Sequence, residues 1–393
     1  MNSNRSISRQ LNEQAILDQL LTAGPVSRAA LATTLGLSKP TVNAIVRDLE
    51  DMGMLRPTGQ TQGSVGRSAT LYGLNDQVGW VLAADVGGTK ISFALSNMLG
   101  EIVAEATQAT DGTSMQALLD QVVGVGGELT ASRGLALADV RVACLGMPGI
   151  VDPETRMISH APNLPLGDSP DFIARLARAM PGASVQAFND VNLAAVGERW
   201  RGLAQRRESF AFLSIGTGVG MGLVINGELC EGFGGQAGEV GWLPIGGNPF
   251  DPSNLEHGTL EECVSGSAIT RRLMDALKKG VPTCLDPDSR PSDVFDAAEA
   301  GDSLAVGIAE EVARAVTLAV AAIAAVSGPE LVVLGGGVGS HEWLASRTRK
   351  LLPQVTPLTP LVEVSSLGQR AALWGALSMA LRQGRERMLS WSA

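Results

Sequence analysis

Two stretches of this 393-residue chain follow one plan. In the first, the apolar run Trp80-Val81-Leu82-Ala83-Ala84 ends on Asp85-Val86-Gly87-Gly88-Thr89-Lys90, and strand-like segments over 91–96 and 101–106 follow. In the second, Phe210 to Ile215 ends on Gly216-Thr217-Gly218-Val219-Gly220, a strand over 221–225 follows, and Asn226-Gly227 turns the chain into Glu228-Leu229. Apolar runs separated by glycine-rich and Asn-Gly turns read as antiparallel strands. Two copies of strand, glycine turn and strand therefore predict an α/β protein with two similar lobes and a cleft between them. Further strands over 140–146 and 185–188 fit the same class, and the second delivers Asn189-Asp190 at its carboxyl end.

A chain of this length exceeds one ordinary domain and predicts two or three. Its four cysteines, Cys144, Cys230, Cys263 and Cys284, lack paired spacing, which points to reduced thiols and a cytoplasmic protein. The N-terminus is polar, without the apolar core of a signal peptide. The longest apolar helix, about Ala313 to Val326, is interrupted by Arg314 and Thr317 and is too short to span a bilayer. A soluble protein with no membrane partner is expected.

Charge divides the chain. Residues 1–72 hold seven Lys/Arg against five Asp/Glu, a net of +2, so the remainder carries −12 of the total −10. A mildly basic head on an acidic body suits a small DNA-binding module that holds the rest away from phosphates. The head's pattern says more. Leu11, Ile16, Leu17, Leu20 and Leu21 are expected on one face of a helix over 10–21. Gly24-Pro25-Val26 breaks it. Ser27 caps a short helix from Arg28 to Leu35 that stops at Gly36, and Ser38 caps a third running to about Met52, with Pro40 in its first turn. Two short helices joined by Gly36-Leu37 form a helix-turn-helix whose second helix enters the major groove by its N-terminal end. Ser38, Lys39, Thr41, Asn43 and Arg47 suit phosphates and base edges. Leu55-Arg56 and Ala69-Thr70-Leu71-Tyr72 then flank a flexible tip. They read as a wing, with Arg56 among the DNA contacts and Arg67 reaching a narrow minor groove. Asn75-Asp76-Gln77 is read as a short linker.

The motifs Asp85-Val86-Gly87-Gly88-Thr89-Lys90, Ala161-Pro162-Asn163-Leu164-Pro165, Asn189-Asp190-Val191-Asn192, Gly216-Thr217-Gly218-Val219-Gly220, Ala237-Gly238-Glu239-Val240-Gly241 and Leu334-Gly335-Gly336-Gly337-Val338 occur in this order. Over about residues 78–380, and with the winged head, the chain resembles the ROK family of repressors, open reading frames and sugar kinases. The resemblance implies a two-lobed actin/hexokinase-type, ribonuclease H-like ATPase fold behind a winged helix-turn-helix. The divisions expected are 1–75 for the head, 76–195 for the first lobe with a helix at 370–390 packing back on it, and 196–369 for the second lobe. That second lobe would serve dimerisation and sugar binding.

The resemblance also implies residue roles. Asn163, Asp190, Glu239 and Glu261 would hold sugar hydroxyls, Asn189 would sit beside the base, and Asp190 would be that base in an active kinase. Backbone N–H groups of Gly87 and Gly88 approach phosphate oxygens where no Cβ intervenes, and Thr89 and Lys90 add a hydroxyl and a charge. Asp85 closes that strand. Gly216, Thr217 and Gly218 would form the opposing phosphate loop, with Gly335, Gly336 and Gly337 near the adenosine.

Two departures stand out. Many members carry a histidine after the Gly-Glu-x-Gly element, where this chain has Trp242. Trp242 could stack on an apolar sugar face or plug the pocket. Members also carry a cysteine-rich zinc loop, yet Gly247 to Glu262 contains no cysteine and only His257 is nearby, so no structural zinc is expected. His160, His257 and His341 are read as surface or packing residues.

Two classes of function follow from the resemblance. One is a sugar-responsive regulator, a homodimer or homotetramer on a palindromic operator, needing no cofactor for DNA binding. The other is an ATP-dependent kinase of hexoses or amino sugars, using ATP and Mg. A bifunctional protein would combine them.

Overall fold

The structure, a computed structural model, describes residues 7–61, 68–161, 164–165 and 171–390. Helix α1 (Ile7–Ala23) buries Ile16, Leu17 and Leu20, but Leu11 is 65% exposed. Five residues advance a helix by about 140° beyond a full turn, which carries Leu11 off the face of Ile16. A two-residue strand β1 (Val26–Ser27) follows, too short to show any periodicity in sequence. The Ser27 hydroxyl accepts the Ala30 N–H at 3.2 Å to start α2 (Arg28–Leu35), which ends on Gly36 in the left-handed region at φ 64°. Ser38 accepts the Thr41 N–H at 3.2 Å and caps α3 (Lys39–Asp51). Val42, Ile45, Val46 and Leu49 line the buried face of α3 at helical spacing. Strands β2 (Leu55–Gln60) and β3 (Thr70–Leu74) pair antiparallel as the wing, and β1 joins the other side of β3.

The turn at 75–77 is a fixed joint and not a loose linker. Asn75 donates its side-chain N–H to the Gly53 carbonyl and its backbone N–H to the Met54 carbonyl, both at 2.8 Å. Leu17, Leu20 and Tyr72 of the head share one continuous apolar cluster with Val81 and Met98 of the body.

In the first lobe, β4 (Trp80–Val86), β5 (Lys90–Asn97) and β6 (Ile102–Ala109) run antiparallel, and α4 (Met115–Ala131) crosses to β7 (Val140–Met147). A small hairpin, β8 (Ile150–Val151) with β9 (Ile158–Ser159), precedes α5 (Phe172–Ala179), β10 (Ser184–Asn189) and α6 (Asp190–Arg201). The sheet order is β10-β7-β4-β5-β6. Leu82 and Ala84 of β4 face the layer of α4 and α5, whereas Val81 and Ala83 face the opposite layer. The period of two thus meets apolar packing on both faces.

The second lobe contains β11 (Phe210–Ile215), β12 (Val219–Ile225), β13 (Glu228–Leu229), α7 (Thr259–Val264), α8 (Gly266–Lys278) and α9 (Pro291–Glu299). It continues through α10 (Ser303–Ser327), β14 (Leu331–Gly335), α11 (Gly336–Gly339), α12 (Glu342–Val355) and β15 (Leu361–Val364). Its order, β13-β12-β11-β14-β15, repeats that of the first lobe. Helix α10 runs ten residues further toward the N-terminus than the apolar stretch suggests, because Asp302 supplies its cap by accepting the Ala305 N–H at 2.9 Å. The last helix, α13 (Ala371–Ser390), returns to the first lobe and lies on β4 and β7.

Helix α6 packs against both sheets, so the boundary expected at 195 falls inside it. The backbones of α6 and α13 approach so closely that a Cβ on Gly375 would collide with the Leu193 carbonyl oxygen. At the other end of α13, Arg385 donates Nη2 to the Met98 carbonyl at 3.0 Å beside the head. No helix among the described residues is long and apolar enough to cross a membrane.

Candidate functional site

The cleft is built from strand ends. Asp85 lies near the end of β4, and Asp190 opens α6 directly after β10. They meet over Gly146, where an added Cβ would stand 3.6 Å from both Asp85 Oδ1 and Asp190 Cα. Asn189 is the cap of α6. Its Oδ1 accepts the Asn192 N–H at 3.0 Å, and its Nδ2 donates to the Gly149 carbonyl at 2.9 Å. Asn189 thereby ties the site helix to the β7–β8 turn.

Burial pushes Asp190 up to about 6, against the lowering effect of the Val191 N–H at 2.9 Å. Burial also pushes Asp85 up to about 7, with the Asp190 charge adding to the rise and Lys90 opposing it. Glu239 is raised by burial first, then by the charges of Glu261 and Asp190. Glu261 is raised by burial too, while the Val219 N–H at 2.8 Å lowers it. The carboxylates of both lobes therefore feel one another. They form one acidic site.

Glu261 also lies against the glycine turn of its own lobe. A Cβ on Gly218 would come 2.9 Å from Glu261 Oε2, so a side chain there would displace the carboxylate. His257 Nδ1 stands 3.3 Å from Glu261 Oε1. Trp242 is 41% exposed, and its ring meets that of His160 edge-on at 6.2 Å. His160 follows β9 of the first lobe and Trp242 belongs to the second, so the pair spans the cleft. The three histidines lie at the surface or in packing contacts. His341 packs on Phe295, the ring centroids 5.2 Å apart, and His160 and His257 are exposed, the first beside Trp242 and the second beside Glu261. The four-residue interval from His257 to Glu261 was the available signal for the second contact. Asn163 lies outside the described residues.

The glycine turns occupy equivalent places in the two lobes. Gly87 donates to the Lys90 carbonyl at 3.0 Å, and the Thr110 hydroxyl donates to the Gly87 carbonyl at 2.6 Å. Gly88, Thr89 and Lys90 are exposed, and Lys90 Nζ donates to Gln369 Oε1 at 2.5 Å. In the second lobe, Gly216 donates to the Gly218 carbonyl at 2.9 Å, and Thr217 is exposed. Gly335 ends β14, and Gly336 has φ 81°, where a Cβ would also strike the Ile215 carbonyl. Gly337 borders Gly216, whose added Cβ would lie 3.7 Å from the Gly337 nitrogen. Among the described residues no three His, Cys, Asp or Glu side chains converge to hold a metal.

On the head, Lys39, Asn43 and Arg47 are exposed along α3, and the Thr41 hydroxyl lies 2.7 Å from that of Ser38. Arg56 is turned to Asp76, 3.1 Å away at the base of the wing. Arg67 lies outside the described residues.

The raised acids have a stability consequence. Asp85 titrates near 7 in the fold against an ordinary 3.8, so the unfolded chain loses its proton first. Between about pH 4 and 7 the unfolded state binds fewer protons, and stability falls as pH rises. Asp85→Asn is expected to raise the melting temperature at pH 8 and to leave it near the parent's at pH 4. An equal gap at both pH values would refute this origin.

Two lobes of matching topology, closing glycine turns and carboxylates on one cleft, define an actin/hexokinase-type fold behind a winged DNA-binding head. The chain belongs to the ROK family, whose model matches residues 81–383. A winged helix-turn-helix DNA-binding model matches residues 3–56. A xylose repressor of Caldicellulosiruptor bescii is 25% identical over 393 residues, covering 96% of this chain and 97% of that one. The structure of a ROK family transcriptional regulator, a homologue of the E. coli MLC protein, superimposes with a TM-score of 0.80 at 23% identity, covering 98% of each chain. That of a ROK family glucokinase from Streptomyces griseus, in complex with glucose and AMPPNP, has a TM-score of 0.64 at 27% identity. It covers 78% of this chain and 100% of the glucokinase.

Proposed function

We propose that this chain is a transcriptional regulator whose winged heads bind paired DNA half-sites and whose cleft binds a neutral sugar that alters DNA affinity. The observation that carries the reading is the acidic cleft in a body that shares its apolar core with a DNA-binding head. Carboxylates match the directional hydroxyls of a sugar, because each oxygen accepts more than one hydrogen bond and a charged acceptor makes a stronger one. The charges acting on Glu239 are both negative, which disfavours a phosphorylated or acidic sugar. Asp190, Glu239 and Glu261, with Asn163, would hold the hydroxyls, and Trp242 with His160 would border the ligand. The repressor relative, matched along nearly all of both chains, supports the regulatory half of the reading.

One head contacts only a few base pairs, so two half-sites on a twofold axis are needed for useful specificity. This requires a dimer or a higher even oligomer. The test is retention of a palindromic duplex, selected from a random pool on the purified protein, across a panel of neutral hexoses, pentoses and amino sugars. One class of sugar is expected to shift the affinity at least tenfold, and a lone half-site to bind far more weakly. Equal retention of half-site and palindrome, with no sugar response, would discard the proposal.

A second reading, an ATP-dependent sugar kinase, is favoured by the position of Asp190 near 6, suited to a base at neutral pH. Gly87 to Lys90, Gly216 to Gly218 and Gly335 to Gly337 would hold ATP with Mg, which supplies the phosphoryl group. The chain's own part would be to orient the sugar and take a hydroxyl proton onto Asp190. ATP consumption over the same panel separates the two readings.

A further inference from the structure

The head carries a cationic groove that the recognition helix alone does not explain. A space of about 390 Å³ opens between α3 and the wing, lined by Lys39 and Asn43 on one side and by Thr70 and Tyr72 on the other, with Arg28 joining them. Arg28 leaves β1 directly beside β3, because Val26 and Ser27 pair with Tyr72 and Leu71. Its guanidinium carbon lies 4.6 Å above the centre of the Tyr72 ring. Its Nη2 donates to Glu50 Oε2 at 3.3 Å, near the C-terminal end of α3. A half-exposed arginine is ordinarily free to sample many rotamers. Here a ring fixes its plane and a carboxylate fixes one edge, so little freedom remains to be lost on binding. The Nε is buried without a hydrogen-bond partner, so the guanidinium is not satisfied within the head.

We propose that Arg28 and Lys39 form a phosphate subsite of the DNA interface, with Tyr72 as the residue that positions Arg28. The occupant is a backbone phosphate of duplex DNA lying in the groove between α3 and the wing. The subsite is independent of sequence. It extends the DNA-binding role of the head and rests on it. Its chemistry is a charge-assisted contact from a preorganised planar fork beside a lysine point charge. Glu50 holds the fork by one edge and leaves other donors for the phosphate.

Because a phosphate contact acts on any sequence, the probe is a labelled random-sequence duplex of about 30 base pairs, titrated with the full-length protein from about 50 to 200 mM salt. Each neutralised phosphate contributes about 0.9 to the slope of log affinity against log salt. Arg28→Ala is expected to lower that slope by about 0.9 and the affinity about tenfold at about 150 mM salt. Arg28→Lys should restore the slope and part of the affinity. Glu50→Ala breaks the same ion pair while keeping the cation, and should leave the slope unchanged. Unfolding of the head by Arg28→Ala would show as a lowered melting temperature, and the lysine and Glu50 variants then decide the matter. Loss of affinity by Glu50→Ala equal to that of Arg28→Ala, with no change of slope in either, would make Arg28 a strut and overturn the proposal. So would an Arg28→Lys variant as weak as alanine. Failure of the parent to bind duplex at about 50 mM salt would instead overturn the DNA-binding role beneath it.

Discussion

Asp190→Asn weakens sugar binding about tenfold to a hundredfold while leaving DNA binding in the absence of sugar unchanged. The substitution keeps the shape of the side chain and removes its charge. A hydrogen bond to a charged group is worth about 1.5–3 kcal/mol, which sets that range. Glu239→Gln should behave similarly, because Glu239 feels the charges of Glu261 and Asp190 and shares their site. Binding by the parent should also strengthen as pH rises through about 6, when Asp190 ionises, and the Asn variant should lose that dependence. Any phosphorylation of the sugar should vanish with the charge. Calorimetric titration of the sugar that shifts DNA affinity reads both variants and the pH dependence, and ATP consumption reads the phosphorylation. Parent-like titrations by both variants would show that the carboxylates do not bind the ligand.

The second large effect concerns the crossing of α6 and α13. Gly375→Val is expected to cost 3 kcal/mol or more of stability, beyond the about 1–3 kcal/mol typical of overpacking. The added carbon would strike the backbone carbonyl of Leu193, which cannot step aside as a side chain can. Gly124→Ala is the control. It lies on α4 with open space around it, and alanine there should be neutral or stabilising by up to about 1 kcal/mol. Denaturant unfolding of both variants measures the contrast. A Gly375→Val protein within about 1 kcal/mol of its parent would mean that the two helices slide apart freely.

Local signals made much of the fold legible. Ser27, Gly36 and Ser38 mark helix ends because their side chains or backbone angles act on immediate neighbours. The repeated strand-turn-strand units announce two lobes because continuous apolar runs and the glycine turns that close them are written directly in the residues. The joint at Asn75 was illegible for the opposite reason. Its partners, Gly53 and Met54, lie more than twenty residues away, and a polar triplet looks the same fixed or free. The contact of His160 with Trp242 was illegible because the two come from different lobes, a relation no spacing records. The grouping of Asp190, Glu239 and Glu261 came from family resemblance and not from pattern, since acids on separate elements carry no common period. Leu11 departs from the expected face because five residues is a poor interval for a helix.

The apolar cluster shared by head and body bears on how such proteins exchange parts. A module with a closed core can be cut out and joined to another body at its linker. This head cannot be, because Leu17 and Leu74 belong to one apolar cluster with Val78 and Met98, and Arg385 borders the small space beside them. Arg385 comes from the far end of the chain, more than three hundred residues after the head closes. A working transplant must therefore carry both termini together. Substitutions that tune which operator is read and substitutions near the last helix form a single inheritance.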